Sequence, residues 1–236
     1  MILPLIALSD VSKAYGALRP LRIAQLTIAP GESVAIVGLD QAAAEIFLNL
    51  LTGATLPDRG DVHVFGRPTH AIADSTEWLA HVDRFGIVSE RAVLLDGLSV
   101  LQNLAIPFTL EIEPPPDEVR VRAEALAEEV GLAATALPRL VGEIDQAMRA
   151  RLRVARALAL DPEVLLVEHL SAGVPRGEVA ALGQSIRAVA ARRGAAVLAA
   201  TADLEFAQAL AGRVLTLEPA TGRLSARRGW LRRRLG

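Results

Sequence analysis

Short apolar runs alternate along the chain with longer stretches in which apolar residues recur every three or four positions. The short runs predict strands at 1–8, 21–28, 33–37, 62–65, 85–88, 164–167, 195–200 and 213–217. The longer stretches predict helices at 43–52, 117–131, 146–159, 176–193 and 203–211. Because strands and helices alternate, the pattern predicts an α/β fold with a mainly parallel sheet flanked by helices.

A run of prolines interrupts this alternation in the middle of the chain. Pro114, Pro115 and Pro116 follow one another, and proline cannot continue a helix or a central strand. We expect a rigid connector here, inside a helical insert at about 90–142 of a single domain of residues 1–236. Asp117 is expected to cap the helix that follows the prolines.

Composition limits which kinds of site the chain can contain. Hydrophobic residues make up 52% of the chain and aromatic residues only 3%, so the core must be built from aliphatic side chains. The absence of cysteine excludes disulfides and thiolate metal sites. No run of about 18 apolar residues predicts a membrane span, and the start of the chain lacks the basic leader of a signal peptide.

Charge is distributed unevenly along the chain. The net charge is −2, yet six arginines and no acid lie in a basic C-terminal tail at 223–236. Such a tail could contact anionic lipid or a partner protein, or it could be a solvated chain end. His63, His70 and His81 show no ligand spacing, so no metal site is predicted.

Residues 38–53 have the frame of a phosphate-binding loop without its chemistry. They follow a predicted strand and open an apolar helix, and the pattern G-x-x-x-x-G-K-[ST] would begin at Gly38. The pattern then requires glycine, lysine and a hydroxyl residue, where this chain has Ala43, Ala44 and Glu45. The loop therefore has the right position and the wrong side chains.

Each replacement removes a favourable interaction with phosphate or adds an unfavourable one. Gln41 and Ala43 place a Cβ where glycine often provides a positive φ or lets a ligand approach. Ala44 removes an ammonium charge, while Asp40 and Glu45 add carboxylates. A carboxylate about 4 Å from a phosphate oxygen costs about 4 kcal/mol at an effective dielectric constant of about 20. We therefore expect Asp40 or Glu45 to cap this helix, and triphosphate not to bind in the normal way.

The order of segments around this loop resembles the ATPase subunit of ABC transporters over about residues 5–224. The matching segments are, in chain order, 11–16, 30–38, 48–53, 94–103 and 155–162. The resemblance implies a P-loop NTPase-like fold with an antiparallel β subdomain in addition to the helical insert. It also implies that nucleotide contacts would come from positions Gly38, Asp40, Gln41, Ala43, Ala44, Glu45 and Ile46, with Tyr15 stacking on adenine. For Tyr15, an ordinary hairpin aromatic is the alternative.

The resemblance also identifies changed catalytic positions. Glu168 stands where the family has a metal-binding aspartate, and His169 stands where it has the catalytic glutamate. Glu90 replaces the glutamine that senses magnesium and water, and Ala202 replaces the switch histidine that contacts the γ-phosphate. Glu168 could still hold magnesium through water, and His169 could act as a base. The simpler interpretation is a polar strand end beside an inactive pocket.

The signature segment of the family is altered as well. Its pattern Leu-Ser-Gly-Gly-Gln corresponds to Ile144, Asp145, Gln146, Ala147 and Met148. In an ABC dimer this segment covers the γ-phosphate of the nucleotide bound to the partner subunit. Asp145 is a good N-cap residue, and its carboxylate would repel a phosphate.

Partners follow from the resemblance alone. In the family, region 90–108 forms the groove that receives a coupling helix from the membrane subunit, so Leu94, Leu95 and Leu98 are the expected contacts, with subdomain core as their alternative role. The expected partners are a transmembrane permease subunit and a second ATPase subunit, in a homodimer or heterodimer at the cytoplasmic face of the membrane, and no nucleic acid. No cofactor is predicted firmly; ATP and magnesium are expected to bind only weakly or in a composite site with a partner.

Three functions remain open at this point. The chain could be a pseudo-ATPase subunit of a transporter, a working ATPase with divergent chemistry through Glu168 and His169, or a protein-binding scaffold that has left transport. Removing one positioned charge donor usually costs about 10²–10³ in rate, and several are missing here together. We therefore favour the pseudo-ATPase subunit.

Overall fold

The computed structural model describes residues 3–226, which contain two sheets and seven α-helices. The smaller sheet is antiparallel, with strand order β2-β1-β4-β5. Its strands are β1 (Ile6–Lys13), β2 (Leu21–Ile28), β4 (Arg59–Val64) and β5 (Arg67–Pro68). Buried and exposed residues alternate along much of β2, as expected for a sheet with one face on the core and one in water.

The larger sheet has six strands in the order β10-β9-β3-β8-β7-β6. Its strands are β3 (Ser33–Val37), β6 (Phe85–Val88), β7 (Val164–Glu168), β8 (Ala196–Ala200), β9 (Arg213–Glu218) and β10 (Arg223–Ala226). All pairs are parallel except β10 with β9. Every residue of β7 and β8 is buried, because the sheet is covered on both faces.

The helices flank the larger sheet or lie in the insert. They are α1 (Gln41–Leu51), α2 (Ser75–Val82), α3 (Val100–Ala105), α4 (Asp117–Glu129), α5 (Gln146–Ala157), α6 (Arg176–Arg193) and α7 (Leu204–Leu210). Short 3₁₀ turns lie at Thr69–Ala71, Ala134–Ala136 and Val141–Glu143. No helix within residues 3–226 is long and apolar enough to cross a membrane.

Two buried clusters form on the opposite faces of the larger sheet. Val34 and Ile36 point to a cluster that also contains residues of β1, β2 and α1, while Ala35 and Val37 point to one that contains residues of α3–α7. This division follows from the two-residue period of a strand. The α/β prediction, including the antiparallel subdomain, is confirmed.

Several predicted boundaries were wrong. The first strand begins at Ile6 rather than at the start of the chain. Asp117 is the first residue of α4 rather than its N-cap, because Pro116 occupies the cap position. Residues 223–226 of the predicted tail form β10, and its remaining residues 227–236 lie outside the described part of the chain. Helix α2 had not been predicted.

The parallel strands place their carboxyl ends at one edge of the sheet. β3, β8 and β7 are adjacent and parallel, so the chain leaves all three at the same edge. Helix α1 begins close to the end of β3, after Gly38, Leu39 and Asp40. In open α/β sheets, this edge is where ligands bind.

Candidate functional site

The N-terminus of α1 is capped by a side chain of the chain itself. Asp40 Oδ1 accepts a hydrogen bond of 2.8 Å from the Ala43 N–H, and the Asp40 carbonyl accepts one of 2.8 Å from the Ala44 N–H. The Ala43 N–H is one of the helix-end donors that would otherwise face an anion, whereas the bond from the Ala44 N–H is the first regular backbone bond of the helix. Of the two acids that could have capped this helix, Asp40 does so and Glu45 does not.

The backbone of this segment is helical where a phosphate loop would need glycine. Helix α1 begins at Gln41, so Gln41 and Ala43 have helical dihedral angles and the expected requirement for a positive φ is absent. The side chains of Ala43 and Ala44 are 6% and 0% exposed and pack into the core. Ile46, also assigned to nucleotide contact, packs partly buried against the same cluster.

Gly38 keeps the one conformational feature of the loop that needs glycine. Its φ is +100°, and a Cβ built on it would lie 3.0 Å from the carbonyl oxygen of Leu217. Any other residue would be strained at this φ and crowded against β9. The turn from β3 into α1 is therefore retained even though the phosphate-binding side chains are not.

Glu45 and Glu168 are joined by an arginine that follows β6. Arg91 Nη1 lies 2.7 Å from Glu45 Oε1, and Arg91 Nη2 lies 2.8 Å from Glu168 Oε2. The three residues come from α1, from the loop after β6 and from the end of β7. Two carboxylates and one guanidinium give this network a net charge of −1.

The two carboxylates of the network lie in different environments. Glu168 is 1% exposed, whereas the side chains of Glu45 and Arg91 are 44% and 41% exposed. Within residues 3–226, Glu168 Oε1 has no hydrogen-bond partner, so the bond from Arg91 to Oε2 is the polar contact that compensates burial of this carboxylate. A buried carboxylate is costly unless it is paired. Arg91 therefore supplies the side-chain hydrogen bond that this buried glutamate has among the described residues.

The residues here do not match the donor set expected for a magnesium nucleotide. Magnesium bound with phosphates uses one or two carboxylates together with hydroxyl, water and phosphate oxygens. Here the hydroxyl position is Glu45, and both carboxylates are already bridged by a cation. No group of three or more histidine, aspartate or glutamate residues within the described chain has the arrangement of a metal site.

His169 and Ala202 line the same cavity. They line a space of about 300 Å³ with residues of the loops after β7 and β8. His169 has a φ of +44°, an uncommon conformation for a residue with a side chain. Its Nε2 is buried and has no hydrogen-bond partner among the described residues. Nε2 therefore lacks the kind of orienting partner that usually accompanies a general base.

Tyr15 lies near the capped end of α1. It is half-buried and packs against the cluster that contains α1. Burial raises the pKa of the Tyr15 phenol above its ordinary value, and the carboxylate of Asp40 raises it further. The structure thus brings together two positions that the resemblance assigned to one nucleotide, and it gives the space between them an acidic character.

The signature positions form the start of α5. Asp145 is its N-cap and accepts a hydrogen bond of 2.8 Å from the Met148 N–H. Ile144 and Ala147 are buried in the core, and Gln146 is exposed. The expectation that Asp145 would cap a helix is confirmed, and it uses a donor that an anion at this helix end could otherwise have bound.

The segment after β6 combines exposed and buried positions. Glu90 is exposed, while Leu94 is 7% exposed and belongs to the core, which makes it unsuited to provide most of a docking surface. Leu95 is 45% exposed and Leu98 is half-buried. The buried Asn103 holds this segment, because its Oδ1 accepts from the Leu95 N–H and its Nδ2 donates to the Leu95 carbonyl.

Sequence reasoning missed Arg91. It lies next to Glu90 in the chain, but its partners are 46 and 77 positions away and belong to other segments. The available signal was indirect: a glutamate at the end of a wholly apolar strand requires a cation or a proton. That signal points to the need for a partner without saying which residue supplies it.

Comparison with known proteins adds a family to this geometry. The family model described as "ABC transporter" matches residues 21–171. The methionine import ATP-binding protein MetN of Brucella abortus is 26% identical over 215 residues, which are 91% of this chain and 58% of MetN. The lipoprotein-releasing system ATP-binding protein LolD of Coxiella burnetii is 32% identical over 170 residues, which are 70% of this chain and 72% of LolD. The chain thus spans well under two thirds of the length of MetN.

A solved structure supports the fold independently. The structure of cbiO1 from Clostridium perfringens, described as part of the ABC transporter complex cbiONQ, superposes with a TM-score of 0.79. It is 18% identical, and the superposition covers 94% of this chain and 87% of cbiO1. At this identity the similarity concerns the arrangement of helices and strands.

Proposed function

The chain belongs to the ABC transporter family as an ATP-binding-type subunit, and we propose that it is a pseudo-ATPase that supports transport without useful ATP hydrolysis of its own. The observation that carries this proposal is the Glu45–Arg91–Glu168 network, in which a side-chain cation bridges two carboxylates, one at the expected hydroxyl position on α1 and one at the end of β7. Asp40 supports it by capping the helix end that would face phosphate.

Charge around the N-terminus of α1 and the ends of β6 and β7, a region called the cleft below, argues against normal nucleotide binding. Asp40, Glu45 and Glu168 contribute three negative charges and Arg91 one positive charge, so the four residues sum to −2. A polyphosphate entering here would meet this charge without the ammonium that normally offsets it. The alternative of a divergent ATPase relies on His169, whose Nε2 has no orienting partner among the described residues.

An assay of phosphate release and ATP binding tests this proposal. We expect the purified chain to release no phosphate above the rate without protein, and a His169→Ala variant to behave identically. An intact family member assayed in parallel shows that the conditions support turnover. Magnesium-dependent phosphate release that His169→Ala abolishes would support the divergent ATPase instead, and micromolar magnesium-dependent ATP binding would contradict the proposed loss of nucleotide chemistry.

The proposed docking surface lies beside β6. A groove of about 230 Å³ is lined by Phe85, Ile87, Leu94, Pro107, Arg153 and Leu160, among others. Leu160 in this lining is 58% exposed, and Val93 and Leu95, which are chain neighbours of the lining residue Leu94, are 66% and 45% exposed. Burial lowers the pKa of both Arg153 and Arg156, and Arg153 Nε has no hydrogen-bond partner within residues 3–226. The groove therefore suits a helix that presents one carboxylate between apolar side chains.

The proposed occupant is such a helix on a multi-span permease, with a second ATPase subunit completing the assembly at the cytoplasmic face of the membrane. By the resemblance, a homodimer would contain two sites that both lack lysine and the catalytic glutamate. A heterodimer with an intact ATPase subunit would have at best one imperfect site, because Asp145 would face the partner's nucleotide. We therefore propose the heterodimer as the form that supports transport.

Affinity capture from membranes tests the docking surface. We expect the wild-type chain to recover a multi-span membrane protein, and Leu160→Glu to lose it, because Leu160 lines the groove and is 58% exposed. Leu79→Glu is the matched control, because Leu79 is similarly exposed, at 55%, and is not among the residues that line the groove. Recovery of soluble proteins only would support the scaffold alternative, and equal recovery by both variants would place the interface elsewhere.

A further inference from the structure

Arg91 connects three segments that are distant in the sequence. Its two terminal nitrogens bind Glu45 on α1 and Glu168 at the end of β7, at 2.7 and 2.8 Å. Among the described residues, Arg91 is the only cation that pairs with either carboxylate within 4.0 Å. A planar guanidinium with donors in a fixed fork is suited to hold two carboxylates at once.

The Arg91 guanidinium lies between the carboxylates of Glu45 and Glu168 and bridges them. Two carboxylates that approach one point from different segments repel each other unless positive charge lies between them. A bound divalent ion can supply that charge and can leave again, whereas an arginine is covalently attached to its own loop. The cation in this chain therefore also fixes the segment that carries it.

The loop that carries Arg91 is held on both sides. The Arg91 N–H donates to Ser89 Oγ at 3.1 Å, and Ser89 is 2% exposed. Two residues further on, the Val93 carbonyl accepts a hydrogen bond of 2.7 Å from Arg156 on α5. The Leu95 N–H then donates to Asn103. Arg91 thus lies on the same short loop as Ala92 and Leu94, which line the groove beside β6.

We propose that Arg91 is a built-in cation that takes the place of a divalent metal between Glu45 and Glu168 and so holds loop 89–95 against the cleft without nucleotide. This inference deepens the proposed function and rests on it in one respect, namely that the cleft does not hold a magnesium nucleotide. It adds that loop 89–95 keeps one arrangement because a side chain, rather than a ligand, bridges this loop to α1 and β7.

Removal of Arg91 should expose a site for a divalent cation. We would titrate Mn²⁺ into the full chain without nucleotide, at neutral pH, and follow free Mn²⁺ by electron paramagnetic resonance. We expect Arg91→Ala to bind Mn²⁺ at least tenfold more tightly than the wild type, and Arg91→Ala combined with Glu45→Gln to lose that gain. Arg120→Ala is the matched control, because Arg120 is similarly exposed and also bridges two acids, Asp117 and Glu124, on α4.

Two results of the titration would overturn the proposal. One is binding of Mn²⁺ by the wild type as tightly as by Arg91→Ala, since Arg91 would then not occupy the metal position. The other is a folded Arg91→Ala variant, judged by circular dichroism, that gains no Mn²⁺ binding. A separate titration of the wild type with magnesium–ATP tests the proposed function. Binding of nucleotide in that titration would contradict the proposed function but not the role of Arg91.

Hydrogen exchange keeps the proposal testable even if Arg91→Ala does not fold. Arg91→Lys preserves the charge, but an ammonium is a single point charge that cannot replace the forked bridge. We expect the amides of residues 89–95 to exchange at least tenfold faster in Arg91→Lys than in the wild type, with the amides of β7 unchanged. Equal exchange rates in the loop would show that Arg91 does not hold it.

Discussion

Replacing Arg91 by alanine should destabilise the fold far more than replacing an equally exposed arginine elsewhere. Glu168 is 1% exposed, and its contact with Arg91 is its only polar contact from a side chain among the described residues. Two unit charges about 4 Å apart attract by about 4 kcal/mol at an effective dielectric constant of about 20. Because Arg91 itself is 41% exposed, water screens part of this attraction.

The expected loss in the free energy of unfolding can be divided between the two contacts of Arg91. The contact with Glu45 joins two partly exposed side chains and contributes about 0.5 kcal/mol. The contact with Glu168 compensates a buried carboxylate, whose unpaired state costs about 2–3 kcal/mol. We therefore expect Arg91→Ala to lower the free energy of unfolding by about 3 kcal/mol. This loss should be largely absent when Glu168 is replaced at the same time by leucine, because an apolar side chain needs no partner.

Chemical denaturation followed by circular dichroism measures these differences. The set comprises the wild type, Arg91→Ala, Arg91→Ala with Glu168→Leu, and the control Arg120→Ala. Arg120 makes two ion pairs as Arg91 does, but both of its partners are solvent-exposed. The reasoning is refuted if Arg91→Ala is no less stable than Arg120→Ala, or if Glu168→Leu fails to restore most of the stability lost in Arg91→Ala.

Three further predictions concern other parts of the fold. Tyr15, the only tyrosine of the chain, should titrate above its ordinary pKa of 10.0 in an absorbance titration, and Asp40→Asn should lower that midpoint part of the way, since burial is the larger cause and remains. The neutral phenol is favoured in the folded state, so this contribution to stability is present below pH 10 and is lost as the pH rises through the raised pKa. Burial lowers the pKa of His81 below its ordinary value of 6.5. Its contribution to stability is therefore present above about pH 6.5 and is lost as the pH falls through the lowered value. The free energy of unfolding should be smaller at pH 5 than at pH 7.5, and His81→Gln should reduce this difference. Gly38→Ala should lower the free energy of unfolding by more than about 1 kcal/mol, because the φ of Gly38 is positive. Gly97→Ala should change the free energy of unfolding little, because the added Cβ meets no atom within 4 Å.

Elements with strong periodicity could be predicted from the sequence, and elements without it could not. β7 and β8 are wholly buried, and their continuous apolar runs reflect that position directly. Helix α2 has no buried residue, so it left no apolar stripe to detect. Its actual signal was local: Asp74 caps it by accepting from the Glu77 N–H at 2.9 Å, a spacing typical of a helix start.

The strand β10 was missed for a different reason. Its sequence of four residues begins the arginine-rich tail, and charge dominated the interpretation of that region. Its pairing with β9 is antiparallel and at the edge of the sheet, where exposed polar residues are tolerated. Composition therefore identified a basic segment correctly but gave no information on its backbone.

The candidate site divides in the same way between local and distant contacts. The caps formed by Asp40 and Asp145 span three residues each. The Asp145 cap was predicted, and at α1 Asp40 and Glu45 were the predicted alternatives. The bridge from Arg91 to Glu168 spans 77 residues, and only the fold shows it. Sequence reasoning therefore identified positions at which this chain differs from the family pattern, but not the arginine that joins two of them.

The bridge formed by Arg91 changes how the cleft is understood. If the nucleotide positions had only drifted, an unpaired buried glutamate at the end of β7 would be expected to disappear, because leucine or valine would cost less there. Instead, the chain has Glu168 at this position, at 1% exposure, together with an arginine that binds it and a second glutamate on α1. Such a network stabilises one arrangement of three segments, which a neutral side chain at 168 could not do. The Arg91 bridge is part of the chain and needs no ligand, so under the proposed function it would hold these three segments together in a subunit that does not turn over ATP.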